Sequence, residues 1–287
     1  MSRLPRSWLY VPGHRTERVA KALASQAEAV VLDLEDAVAP EQKKAARAAV
    51  VATVADRNYG GPALWVRCNA VPSPWAEADL DALAGLDVDG IRVPRAEDPA
   101  TIRHIAERTG KRLQLILESA RGLARAEHLA TAHPQVAGIG LGEADLSADL
   151  RVPSDSGLDW ARGWVVVVAR AARLPSPVQS VWTDVGDLDG LRASCVRGKA
   201  SGFVGRSVVH PKQIPVVHDV FTPSAEEVDS ARAVVAAANK AAANGESAVL
   251  DEAGRFIDPA VVARAQVVLD LAAEPAPTTP GHPGGAR

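Results

Sequence analysis

Ala29-Val30-Val31-Leu32-Asp33-Leu34-Glu35-Asp36, followed past Pro40 by Glu41-Gln42-Lys43-Lys44-Ala45-Ala46-Arg47, decides how this chain is read. A short β-branched and apolar run that ends on acids reads as a strand. The Ala- and Lys-rich stretch behind it has helical composition and is opened by a proline, which suits a first helical turn. Its early acid and later bases also suit the helix dipole. The unit is strand then helix, the building block of a parallel sheet.

Working outward, the same unit recurs. Candidate strands fall at 7–11, 29–34, 63–68, 90–94, 112–118, 136–141, 178–183 and 202–209, with starts 22 to 42 residues apart. Eight such repeats fill the ~250 residues of a (β/α)8, or TIM, barrel. A doubly wound open sheet would want a glycine-rich turn after its first strand, whereas Val11-Pro12-Gly13-His14-Arg15 is no G-x-G-x-x-G. The barrel is therefore expected. Asp98-Pro99 reads as an N-cap and first helical residue, and a helix over 160–172 follows a loop containing Pro153 and Gly157. Beyond the last candidate strand, Ser224-Ala225-Glu226-Glu227 is a capping box opening a helix that stops at Asn244-Gly245, and another helix begins near Asp258-Pro259. The expected organisation is a barrel over 1–221, a C-terminal helical arm or lid over 222–273, and a disordered Pro- and Gly-rich tail over 274–287.

Composition narrows the function. Over 287 residues, 32 Lys and Arg face 35 Asp and Glu, a net charge of −3 that lacks the basic excess of a nucleic-acid binder. No run approaches the ~18 apolar residues of a membrane span, and the N-terminus lacks a signal-peptide pattern. Cys68 and Cys195 fit neither a disulfide framework nor a C-x-x-C site, so a cytoplasmic protein is expected.

A barrel places its chemistry at the C-terminal ends of its strands. There this sequence puts Asp33, Glu35 and Asp36, then Arg67 and Asn69, Arg95 and Glu97, Glu118, and Glu143 with Asp145. So many acids in one mouth repel one another unless a cation offsets them, which implies a divalent metal. Glu118 and Asp145 follow neighbouring strands and lie near enough to share one ion. Oxygen ligands without His or Cys favour Mg2+ or Mn2+ over zinc. Taken singly, each also reads as the cap of the helix behind it, Glu118 before 119–122 and Asp145 before Leu146. Arg67 reads either as an ion pair with Glu35 or Asp36, or as a fork for a substrate carboxylate or oxyanion. Scattered arginines such as Arg15 are left for any phosphate group, and His210 reads as structural. The absence of G-x-S-x-G and of a P-loop removes support for serine hydrolysis and ATP cleavage.

Five ordered motifs sit on separate strands: Arg6-Ser7-Trp8-Leu9-Tyr10-Val11-Pro12-Gly13, Leu32-Asp33-Leu34-Glu35-Asp36-Ala37-Val38, Val66-Arg67-Cys68-Asn69, Leu117-Glu118-Ser119-Ala120-Arg121-Gly122 and Gly142-Glu143-Ala144-Asp145-Leu146. Together they resemble the citrate lyase beta subunit-like proteins of the HpcH/HpaI aldolase superfamily, which include malyl-CoA and citramalyl-CoA lyases. The resemblance implies a TIM barrel with Mg2+ on Glu118 and Asp145, and substrate held by Arg67, Glu118, Arg15, Glu35, Asp36, Gly142, Glu143 and Ala144. Gly254-Arg255-Phe256-Ile257-Asp258 resembles the lid motif of the CoA lyases, which implies Asp258 as a catalytic acid/base reaching a neighbouring subunit's site in a homotrimer or hexamer. The implied reaction cleaves a short 3-hydroxyacyl-CoA thioester (citramalyl-, malyl- or hydroxymethylglutaryl-CoA-like) to acetyl-CoA and a keto acid, coenzyme A being part of the substrate. A citrate lyase subunit acting on a carrier-protein thioester and a non-catalytic keto-acid-binding barrel are the alternatives. Pro94-Arg95 stands where relatives commonly have Pro-Lys, and Gln179 where an acid is frequent, which leaves the keto-acid partner open.

Overall fold

The computed structural model describes residues 5–56, 61–245, 248–250 and 254–273. Strand and helix alternate from the start: β1 (Ser7–Pro12), α1 (Thr16–Leu23), β2 (Ala29–Asp33), α2 (Lys43–Ala55), β3 (Ala63–Arg67), α3 (Ala76–Ala84), β4 (Gly90–Val93), α4 (Pro99–Thr109) and β5 (Leu113–Leu117). Two short helices, α5 (Ala120–Ala124) and α6 (Ala126–Ala130), precede β6 (Val136–Leu141), and α7 (Glu143–Leu150), α8 (Asp159–Ala171) and α9 (Leu188–Ala200) precede β7 (Arg206–Val208). These strands form one seven-stranded sheet in the order β6-β5-β4-β3-β2-β1-β7. All of its pairings are parallel.

One expected strand differs. Of 178–183, only Gln179 makes a bridge, to Arg206 of β7. Pro175 and Pro177 have no N–H to give a ladder, so the segment is carried by a few bonds to β7, Val204 N to Pro177 O at 3.1 Å and Ser207 N to Gln179 O at 2.9 Å. Toward β6 it reaches through a side chain, the Ser180 hydroxyl donating to Leu141 O. The sheet is curled and parallel, with seven laddered strands where the sequence suggested eight.

Period-two alternation sends Trp8, Ala29, Val31, Trp65 and Val178 to the concave face, where they form a buried cluster. Gly90 makes room for Trp65, since a Cβ there would collide with the indole. The helix signals act locally as the sequence suggests. Asp98 accepts from Thr101 N at 3.3 Å, and Pro40 opens a short 3-10 turn that leads into α2.

By internal contacts the described residues divide into two compact units, one running up to His218 and one from Asp219 onward. Helix α10 (Ile214–Phe221) carries the chain from one into the other. The second unit is built on α11 (Ala225–Ala243) and α12 (Pro259–Ala272), with a two-residue antiparallel pair, β8 (Val249–Leu250) and β9 (Phe256–Ile257), in the stretch between them. The capping box is present, Ser224 Oγ accepting from Glu227 N at 3.1 Å and Ser224 N donating to Glu227 Oε2 at 2.8 Å. The tail expected over 274–287 lies outside the described residues. No helix among the described residues is long and apolar enough to cross a membrane.

Candidate active site

The ends of β2 and β3 carry one half of the site. Asp33 and Arg67 are lateral partners in the ladder, so both side chains leave the sheet on the same face. Their pairing is two-pronged, Arg67 Nε to Asp33 Oδ1 and Nη2 to Oδ2, each 2.7 Å. The same carboxylate accepts Glu35 N and Ala37 N, both at 3.0 Å, which fixes the loop beyond β2. Arg67 Nη1 lies 2.9 Å from Glu35 Oε2, without hydrogen-bond alignment, and 3.0 Å from Asp36 Oδ2. The ion pair with Glu35 and Asp36 expected from sequence is therefore present. Its principal member is Asp33, which the sequence places at the strand end without giving it as the partner of Arg67. Beneath it runs a stacked column, with Arg67 5.2 Å and Arg92 5.3 Å from the Tyr10 ring, and Arg92 5.0 Å from that of Trp8. Burial pushes the Glu35 carboxyl up to about 8, with Asp36 and Glu118 adding to the rise and Arg67 opposing it.

The other half lies at β5 and β6. Leu117 and Leu141 are paired, so Glu118 and Gly142 follow as neighbours. A Cβ at Gly142 would come within 2.5 Å of Glu118 Oε2, so the glycine is what lets the carboxylate lie there. Glu118 is buried and accepts Arg95 N at 2.6 Å. It caps no helix: Ser119 caps α5, accepting Gly122 N at 3.1 Å. Asp145 is not a cap either, because α7 begins at Glu143 and places Asp145 inside its first turn, exposed. Burial raises the Glu118 carboxyl to about 7, and the charge of Asp145 pushes the same way against the Arg95 N–H.

The remaining candidates scatter. Glu143 faces Arg162 of α8, which grips it at 3.0 and 2.6 Å and also holds Asp155 and Asp159, a hub that sequence reasoning missed. Its signal was the Asp159–Arg162 spacing on one helix face. Ala144 is exposed beside it, and Arg15 is exposed just before α1. His210 caps a 3-10 turn through Nδ1, accepting Lys212 N, as its structural reading suggested. Asp258 belongs to the second unit and caps α12, accepting Val261 N at 2.9 Å.

Among the described residues no group of three or more His, Cys, Asp or Glu could hold a metal ion. Two carboxylates do fit a hard cation that keeps several waters and takes further oxygens from substrate, as Mg2+ does. Glu118 is raised chiefly by burial and further by the charge of Asp145, and a cation bound there would ease both.

A parallel α/β sheet with carboxylates and an arginine at its C-terminal strand ends has the layout of a barrel enzyme's active face. The family model for HpcH/HpaI aldolase/citrate lyase matches residues 6–211, and the chain belongs to that family. It is 34% identical over 262 residues to a (3S)-malyl-CoA thioesterase of Cereibacter sphaeroides, covering 88% of this chain and 89% of the relative. It is 32% identical over 297 residues to an L-malyl-CoA/beta-methylmalyl-CoA lyase of the same organism, covering 92% and 93%. Among solved structures it resembles the protein CitE of Mycobacterium tuberculosis in complex with magnesium, acetoacetate and coenzyme A, with a TM-score of 0.79 and 33% identity over 94% of this chain and 98% of that one.

Proposed function

We propose that this chain is a Mg2+-dependent lyase that cleaves a short 3-hydroxyacyl-CoA thioester to acetyl-CoA and a keto acid. The observation that carries the reading is the buried Glu118 carboxylate just past β5, which feels the charge of Asp145 in the first turn of α7 behind the neighbouring strand β6. The CoA-thioester names of its relatives and the Mg2+ complex of its structural neighbour support it. We read the segment at 178–180 as the eighth stave, which closes the seven strands into a TIM barrel.

In this reading Glu118 and Asp145 hold the ion, which when bound draws electron density from the hydroxyl and carboxylate oxygens that become those of the keto acid. The bond between the α and β carbons breaks as the β-hydroxyl passes its proton to the Asp258 carboxylate, its O–H electrons forming the new keto C=O, and the electron pair of the broken bond passes to the thioester carbonyl as an enolate. Arg67, its guanidinium fixed by Asp33, supplies positive charge to that oxygen. Protonation of the enolate carbon then releases acetyl-CoA. We assign the proton to Asp258, brought by a neighbouring protomer of a homotrimer or hexamer. The exposed Arg15, Asp36 and the Gly142–Ala144 backbone border the substrate.

The test is product analysis. Incubation with malyl-, citramalyl- and hydroxymethylglutaryl-CoA in Mg2+ should release acetyl-CoA with a keto acid, and chelation should abolish it. Free CoA with an intact hydroxy acid would instead make the chain a thioesterase. A citryl carrier-protein thioester belongs in the same assay because the family description includes citrate lyase. Binding of keto acid without turnover of any thioester would overturn the catalytic reading.

A further inference from the structure

We propose a second binding site, for a compact oxyanion, in the cleft between α7 and the segment at 180–183, with Arg206 as its anchor. The cleft has a volume of about 280 Å3. Ser207 turns to the concave face, where its hydroxyl accepts from Arg92, so its neighbour Arg206 turns the opposite way, under α9. There Arg206 Nη1 donates to Ser194 Oγ at 2.9 Å, and the guanidinium lies 5.4 Å from the Trp182 ring. The residue is 3% exposed, and its Nε has no partner.

Two acids also line the cleft, but their charges are already engaged. Arg162 grips both oxygens of Glu143, and Asp155 is shared between Arg162 and Arg197. Arg206 is thus the charged lining group that no carboxylate of the described residues pairs. A buried cation that makes no ion pair, acted on by the charge of a Glu143 that Arg162 already neutralises, is costly, and an anion entering the cleft relieves that cost. The exposed hydroxyls of Ser154 and Thr183 add donors suited to carboxylate or phosphate oxygens. Glu143, Ala144 and Ser147 give the cleft one side of α7, while Asp145 projects from the other. The site is therefore separate from the Glu118–Asp145 pair.

Trp182 gives the readout, through fluorescence titration of the full chain with inorganic phosphate and, separately, with acetate, each against chloride at matched ionic strength. A saturable change with a Kd of about 1 mM or tighter is expected for at least one of them. A response to phosphate alone assigns a phosphate group, and one to acetate alone a carboxylate. Arg206→Met should weaken binding at least about tenfold. Because that variant disturbs a buried position, Ser147→Phe serves as the second: it fills the cleft from the helix surface and should abolish the response while leaving the thermal midpoint and thioester turnover unchanged. No saturable response to either anion, or undiminished binding in Ser147→Phe, overturns the proposal. Neither result bears on the thioester assay, so the two readings fail independently.

Discussion

At the ends of β2 and β3 the arginine is paired within the chain: Arg67 is gripped by Asp33 and lies against Glu35 and Asp36. Past the ends of β5 and β6, a few strands away in the same sheet, burial and then the charge of Asp145 push the Glu118 carboxyl up, opposed by the Arg95 N–H and by the more remote charge of Arg67, and among the described residues neither acid is in an ion pair with a cation. The first half is finished by folding, and a buried guanidinium with that many acceptors has one place to be. The second is left incomplete, and under the proposed function an ion from solution completes it. A site divided this way would keep its anchor rigid while making its electrophile depend on metal supply.

The largest expected effect falls on the incomplete half. Glu118→Gln should lower thioester cleavage by about 10^3- to 10^4-fold, the several kcal/mol that a Lewis acid contributes. Activity within tenfold of the parent would remove Glu118 from the metal site. On the finished half, Asp33→Ala leaves Arg67 buried without its main partner and should cost about 3–5 kcal/mol of stability, read by urea unfolding. If the loss there were no greater than for an exposed ion pair such as Arg232–Asp229, the contrast between the halves would collapse.

Arg162→Met probes the boundary between the two kinds of design. Arg162 fixes Glu143 two residues ahead of Asp145, and its loss should weaken Mg2+ binding by about 10- to 100-fold with less change in kcat at saturating metal. A kcat effect that saturating Mg2+ does not rescue would assign Glu143 and Arg162 another role. The gentlest test is pH. Folding raises Glu118 from 4.5 to about 7 and Glu35 to about 8, so between those limits the native chain binds more protons than the unfolded one. These two groups therefore stabilise the metal-free protein most below about pH 4.5, and that contribution is lost as pH rises toward 8. Thermal midpoints in chelator should reflect that loss, with part of the slope removed by Glu118→Gln, and Mg2+ binding near pH 7 should release protons in calorimetry. A pH slope unchanged by Glu118→Gln would refute the raised carboxyl.

Much of this was legible before any coordinates, because buried parallel strands write themselves as short apolar runs and their ends follow from the repeat. The candidate strand at 178–183 is too long: its Val and Trp look like a strand, but the prolines at 175 and 177 bar pairing from starting before it, and within it only Gln179 makes a bridge. The β8–β9 pair went unseen because two-residue strands carry no period. Within the site, Glu118 and Asp145 stood out because each follows a glycine or apolar run. Asp33 was visible as a strand-end acid but not as the anchor of Arg67, since an acid closing a strand announces neither its partner 34 residues away nor the bidentate grip. The Arg162 hub depends on a helix crossing that no local pattern encodes.

The junction between β6 and the 178–180 segment is held differently from the rest of the sheet, by a serine hydroxyl reaching Leu141 O where the other neighbours share backbone rungs. A seam of that kind is where amide hydrogens trade with solvent first, since opening it breaks few cooperative bonds. Breathing there would loosen the floor beneath Glu143 and the start of α7 before disturbing Arg67, so deuterium uptake should rise from this edge inward.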